Sequence, residues 1–270
     1  MSHSTRLAPP RVGIINLMPR AEQYERSLLG ALHASGVAFQ PVFVRLRTHV
    51  YQSSDPLHIA RAYRPMREVW SEAALDALLI TGAPVEELEW QAVSYWSELC
   101  EIIDFAREHV PSTLGLCWGG LALGQRLGIE KRSYERKLFG VFPLERLVPE
   151  HPVLGHPGEP LSCPQSRHSG IVDAHFERAS ARGVVRGLAA APDGDVSIFE
   201  SADGRFLAHL GHPEYEPQRL VFEYERDRAA ARSDVGPPLG FDVSDPQCSW
   251  RPHQRSFFGG WLASVSRAAP

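Results

Sequence analysis

Apolar and polar positions alternate along this chain in blocks of two kinds. Arg11 to Asn16 carries Val12, Ile14 and Ile15 and stops at Leu17-Met18-Pro19, which predicts a short strand closed by a proline. Residues 21–35 place Tyr24, Leu28, Leu29 and Leu32 at helical spacing, with Gly36 as the stop. Phe39 to Leu46 is strand-like again. Strand, helix, strand in this compass is the unit of a parallel sheet.

The pattern recurs. Ala74 to Ile80 is an apolar run ending in Thr81-Gly82-Ala83-Pro84, Tyr95 to Glu108 is an amphipathic helix, and Thr113 to Cys117 is a short strand followed at once by a helix over 118–127. These blocks predict an α/β fold, a mostly parallel sheet flanked by helices, with sites in the loops at the strand C-terminal ends. The second half is richer in β-structure: strands are expected at Lys137–Phe142, Val196–Glu200 and Arg205–Leu210, and a charged helix over 217–232. Residues 233–250, with Gly236, Pro237, Pro238 and Pro246, read as a long ordered loop or flap. Residues 1–10 read as a tail and 11–270 as one domain.

Composition narrows the class. Of 270 residues, 43% are hydrophobic and 22% charged, which excludes a disordered or fibrous chain. A net charge of −4 gives no footprint for nucleic acid or an anionic membrane. Cys100, Cys117, Cys163 and Cys248 form no C-x-x-C pair and read as free thiols of a reducing compartment. The N-terminus lacks a signal-peptide run, and nothing approaches the roughly 18 apolar residues of a membrane span. A cytoplasmic protein is expected.

Gly115-Leu-Cys117-Trp-Gly119 is the sharpest local signal, because a nucleophile on a strand-to-helix turn sits in a strained conformation that small flanking residues relieve. The helix behind it favours thiolate, and the Trp118 amide could donate to an oxyanion. A buried structural cysteine fits the motif alone equally well. Gly211-His212-Pro213-Glu214 follows another strand; in an extended segment His212 and Glu214 share a side, so Glu214 could orient His212 as a base. Together the two motifs describe an activated cysteine with an oriented base.

Ser166-Arg167-His168 reads as a loop able to bind an anion, and Arg226 lies in an acidic helical run where a salt bridge is the plain reading. The twelve histidines show no H-x-x-x-H or H-E-x-x-H spacing, so no metal is expected, and no nucleotide-binding glycine loop is present.

Across these strings the chain resembles the homoserine O-acyltransferases of the homoserine O-succinyltransferase type, built on the class I glutamine amidotransferase-like (flavodoxin-like) fold. The matching strings are Ile15-Asn-Leu-Met-Pro19, Thr81-Gly-Ala-Pro84, Tyr95-Trp96, Cys117-Trp118, Lys137-Leu-Phe-Gly-Val141, Ser166-Arg167, Gly211-His-Pro-Glu-Tyr215, Arg226-Asp227, Ser249-Trp-Arg251, His253 and Trp261-Leu262. The resemblance implies a ping-pong acyl transfer in methionine biosynthesis. Cys117 takes the acyl group from an acyl-CoA substrate and passes it to the hydroxyl of L-homoserine, with His212 as base and Glu214 holding it. It also implies Lys137, Ser166, Arg167 and Arg226 as substrate-binding residues, an Arg fork suiting a carboxylate, and the Ala83 amide as second oxyanion donor. Glu86, after Thr81-Gly-Ala-Pro-Val85, favours acetyl over succinyl because a carboxylate there repels the distal carboxylate of a succinyl group.

No cofactor beyond the acyl-CoA substrate is implied, and a homodimer is left open. Lys131, Arg132 and Arg136 are candidate contacts for the CoA phosphates, with solvated charge as the plainer reading. Succinyl-CoA as donor, or serine or another hydroxy amino acid as acceptor, keeps the same chemistry. A glutamine amidotransferase-like hydrolase is more distant, since Leu121 replaces the glutamine usual after the nucleophile; a catalytically silent sensor is the third class.

Overall fold

A computed structural model describes residues 8–267, so most of the expected tail at 1–10 lies outside the described residues. The first half builds strand β1 (Arg11–Ile15), helix α1 (Ala21–Ala34), β2 (Gln40–Arg45), α2 (Pro56–Ala62), β3 (Arg64–Pro65), α3 (Met66–Glu72), β4 (Ala77–Ile80), α4 (Trp96–His109), β5 (Ser112–Leu116) and α5 (Trp118–Arg126). The second half builds β6 (Lys131–Arg146), β7 (Leu161–Ile171), α6 (Asp173–Ala181), β8 (Val185–Ala190), β9 (Val196–Ser201), β10 (Phe206–His209), α7 (Pro217–Ala229) and α8 (Arg251–Arg267).

All ten strands join one sheet in the order β3-β2-β1-β4-β5-β10-β9-β8-β6-β7. From β3 to β10 the neighbours are parallel, and from β10 to β7 they are antiparallel. The central parallel strands are buried on both faces, as their unbroken apolar runs require. Along β4, Ala77 and Leu79 enter the core beneath α1 and α8, while Leu78 and Ile80 enter the core beneath α4 and α5. A strand with covered faces on both sides has no polar alternation to show in its sequence. None of the described helices is long and apolar enough to cross a membrane.

Two expectations are corrected, and one helix is added. Ser166-Arg167-His168 is not in a loop but inside β7, paired antiparallel along most of β6. Pro164, Ser166 and Gly170 hide that strand from propensity, and tertiary pairing overrides it. The helix over 217–232 stops at Ala229, and just beyond it Ala231 adopts φ +51°. Helix α8 was not foreseen, since Pro252, Gly259 and Gly260 depress its propensity. It forms because Phe257, Phe258, Trp261, Leu262 and Val265 are buried in the core under α1 and β5. The segment after α7 is ordered as expected: Leu239 is latched to β6 through bonds with Phe139 O and the Val141 amide.

Candidate active site

Parallel neighbours β4, β5 and β10 end side by side, with Ile80 in register with Gly115 and Leu116 with His209. The three segments that leave those ends therefore meet. They carry Gly82-Ala83, Cys117 and His212.

Cys117 sits between β5 and α5 at φ +49°, ψ −114°, a conformation that L residues adopt only under strain. Its amide donates to His209 O at 2.8 Å. The elbow is so tight that glycine is required on both sides. A Cβ at Gly115 would lie 2.4 Å from Gly119 O, and one at Gly119 would lie 2.3 Å from Ile80 O. Trp118 opens α5, so its amide lies outside the helical hydrogen-bond ladder and is available as a donor.

His212 is buried and lines the same cavity as Cys117. Its Nδ1 meets Glu214 Oε1 at 2.8 Å. The pair is made across a turn, with the Tyr215 amide bonded to His212 O, and not along the extended segment expected from the sequence. The Tyr24 hydroxyl donates to the same Glu214 oxygen at 2.8 Å, and Tyr215 stacks on the imidazole at 4.0 Å. Burial alone would lower the His212 pKa. The opposing charges of Cys117 and Glu214 outweigh it and hold the imidazole well above its ordinary value. Gly82 closes the other side: a Cβ there would lie 3.3 Å from both Cys117 Cβ and His212 Cε1.

Cys117 and His212 open into a cavity of about 350 Å³ whose walls include Ala83, Glu86, Lys137, Ser166 and Arg226. The cavity also brings in residues assigned no role from the sequence: Tyr215 and Asp227, seen only within matching strings, and Arg219 and Glu223. Buried Glu223 accepts from Ser166 Oγ, from Tyr215 OH at 2.9 Å and from Arg219 Nε at 2.8 Å. Lys137 Nζ lies 2.7 Å from Asp227 Oδ2 and 3.5 Å from Glu223 Oε2. Burial would raise the Glu223 pKa, but Arg219, Lys137 and the Ser166 hydroxyl hold it down at about 2. Arg226 bonds Asp227 at 2.7 Å and is half-exposed at the rim. Arg219, Glu223 and Asp227 recur every four residues along one face of α7, the signal that the acidic run contained.

Glu86 lies on the cavity wall, and its Oε1 accepts from the His168 amide at 2.9 Å with the His168 ring Nδ1 at 3.2 Å. Hydrogen bonding to Glu86 raises the His168 pKa against the effect of burial. Arg167 lies outside this cavity. Its guanidinium is consumed by Gln165 at 2.9 Å, Tyr134 at 2.6 Å, Ser169 O at 2.9 Å and Asp195. Lys131 and Arg132 are likewise committed, to the Glu86 carbonyl and to Asp173 and Asp195.

Among the described residues one buried group, Cys163, His209 and His253, has metal-ligand donors close together. Its hydrogen bonds argue for an imidazole pair. The Gly211 amide donates to His209 Nδ1 at 3.0 Å, so the proton of the neutral ring sits on Nε2 and is donated to His253 Nε2 at 3.1 Å. That tautomer leaves His209 Nε2 no lone pair for a metal.

The model of the homoserine O-succinyltransferase family matches residues 1–270. The chain belongs to this family. A homoserine O-acetyltransferase of Roseobacter denitrificans is 32% identical over 98% of this chain and 87% of its own length. One of Acetivibrio thermocellus is 33% identical over 94% of this chain and 84% of its own. Among solved structures, a glutamine amidotransferase of Thermotoga maritima superposes with a TM-score of 0.65 at 12% identity, covering 96% of this chain and 99% of that one. At such an identity that structure speaks for the shared fold alone.

Proposed function

We propose that this member of the homoserine O-succinyltransferase family transfers an acetyl group from acetyl-CoA to the hydroxyl of L-homoserine by a ping-pong route, as a step of methionine biosynthesis. The observation that carries the reading is the strained, glycine-flanked Cys117 beside a buried His212 that Glu214 orients, at the floor of a cavity with its own charged wall. Cys117 Sγ attacks the thioester carbonyl and the bond to the CoA sulfur breaks, CoA leaving with the proton that His212 supplies. The homoserine hydroxyl then gives its proton to His212 and attacks the acyl-enzyme carbonyl. The new C–O bond forms as the C–S bond to Cys117 breaks. The Trp118 and Ala83 amides serve the oxyanion of both tetrahedral intermediates.

The charged wall suits an amino acid. Glu223 and Asp227 offer acceptors to an ammonium group, while Arg226 at the rim offers a fork to the carboxylate. Lys137 and Ser166 fix the acids in place. Glu86 narrows the donor end and carries negative charge against a succinyl tail; the names of the relatives above agree with acetyl, while the description of the family model favours succinyl.

Incubation with acetyl-CoA alone, read by intact mass, is expected to add one acetyl group that Cys117→Ala cannot carry. Labelling only by succinyl-CoA would replace the donor, and Glu86→Gly is expected to admit succinyl-CoA. Ammonia release from glutamine would favour a hydrolase instead.

A further inference from the structure

The catalytic cavity leaves the rest of the donor without a seat, and two of the three cations suggested by sequence for its phosphates are spent elsewhere, Lys131 on backbone carbonyls and Arg132 on Asp173 and Asp195, while the third, Arg136, is exposed and is not among that cavity's walls. On the side of Glu87 the rim is hostile to an anion. It is built from Glu86 and Glu87 with His168 and Arg232, and carboxylates hold both basic groups, Glu86 and Asp234 the imidazole, Glu87 and Asp234 the guanidinium.

The other side differs. A second cavity of about 260 Å³ lies between α1 and α7 and shares Pro19, Tyr215 and Arg219 with the catalytic one. Phe222 on its wall is 39% exposed, an unusual state for a large aromatic. Two guanidiniums face that ring, Arg20 at 5.3 Å and Arg219 at 5.6 Å. Arg20 is exposed, and no carboxylate pairs with it among the described residues. The acid of this cavity, Glu216, is neutralised by Arg251 at 3.1 Å. Gln23, Ser27 and Gln218 add neutral polar groups.

We propose that the cavity between α1 and α7 binds the nucleotide end of the acyl donor, a 3′-phosphorylated adenosine diphosphate, with Phe222 as the stacking surface for the base and Arg20 as a phosphate contact. This rests on the reading of Cys117 as the acceptor of an acyl group from CoA. An adenine has a π-face that an exposed phenyl ring matches, and a diphosphate needs a cation not already paired. The donor then passes over Pro19 and Arg219, the walls common to both cavities, to bring its thioester to Cys117. Arg219 is thereby placed between the donor arm and the acid that lines the acceptor site.

The test compares two donors, acetyl-CoA and S-acetyl-N-acetylcysteamine, which lacks the nucleotide, in the wild type and in Phe222→Ala and Arg20→Glu. Both substituted side chains are solvent-facing, and circular dichroism with a thermal melt checks the fold. The expected result is a loss of about tenfold in kcat/KM for acetyl-CoA in each variant, the scale of one lost base stack or phosphate contact, with the truncated donor within about twofold. Equal effects on both donors, or none on either, overturn the proposal. Titration calorimetry with 3′-phosphoadenosine 5′-diphosphate needs no turnover and separates the two readings. Binding that both substitutions weaken supports the site even if Cys117 takes its acyl group from another donor. Absence of binding to the wild type sinks the site while leaving the acyltransfer reading intact.

Discussion

The elbow and the charged wall face each other across one cavity, yet they are built by different means. At the elbow, backbone does the placing: adjacent parallel strands end together, two glycines permit the turn, and Cys117 and His212 arrive at fixed positions. At the wall, side chains from β6, β7 and α7 hold one another: Lys137, Ser166, Arg219, Glu223 and Asp227 form a buried network with no help from strand ends. The first arrangement tolerates side-chain loss without moving. The second is only as good as its weakest partner, because an unpaired buried charge is costly.

That contrast can be broken most severely at Glu214. Replacing it with Gln leaves the elbow's backbone in place but removes the carboxylate that fixes the His212 tautomer, and kcat/KM is expected to fall by about 10³ to 10⁴. The melting temperature should hardly move, and a collapse of the fold would show that the base, too, depends on side-chain packing.

Glu223→Gln is the corresponding cut in the wall. Single-turnover acylation of Cys117 by the donor should stay near wild type, while KM for homoserine rises by about 10 to 100-fold, the scale of one or two charge-assisted contacts. An equal loss in the acylation half-reaction would erase the distinction between the two regions.

The smallest effect is on acid stability. Glu223 titrates at about 2 in the fold and near ~4.3 unfolded, so its contribution is complete above the unfolded value and is lost as the pH falls from there towards 2. That window is worth roughly 3 kcal/mol at most for one buried carboxylate. Buried His253, held at about 4 by desolvation, acts in a separate window. Its contribution is present above ~6.5 and disappears between there and about 4. Chemical denaturation at a series of pH values should show both windows in the wild type and a smaller loss in the lower one in Glu223→Gln, where Asp195 and Glu200, also held below their ordinary values, still titrate.

Much of the parallel half was legible because its strands are short apolar runs with proline or glycine stops. The elbow was legible for a related reason: glycine spacing reports a backbone constraint directly. What escaped notice was held by tertiary pairing. β7 carries Pro164 and Gly170 and yet pairs along β6, and α8 carries Gly260 because a Cβ there would lie 2.1 Å from Pro152 O. Arg167 looked like an anion contact, since sequence cannot show that Gln165, Tyr134 and Asp195 have already claimed its donors. Glu223 and Asp227 were visible only as a helical charge run, and burial, which changes their meaning, is not written in the spacing.

The contact between Gly119 and the Ile80 carbonyl has a consequence for inheritance. It joins main chain to main chain, so no neighbouring side chain takes part in it. Lineages can exchange almost every surrounding residue, and with them the compounds they handle, while the sulfur keeps its address.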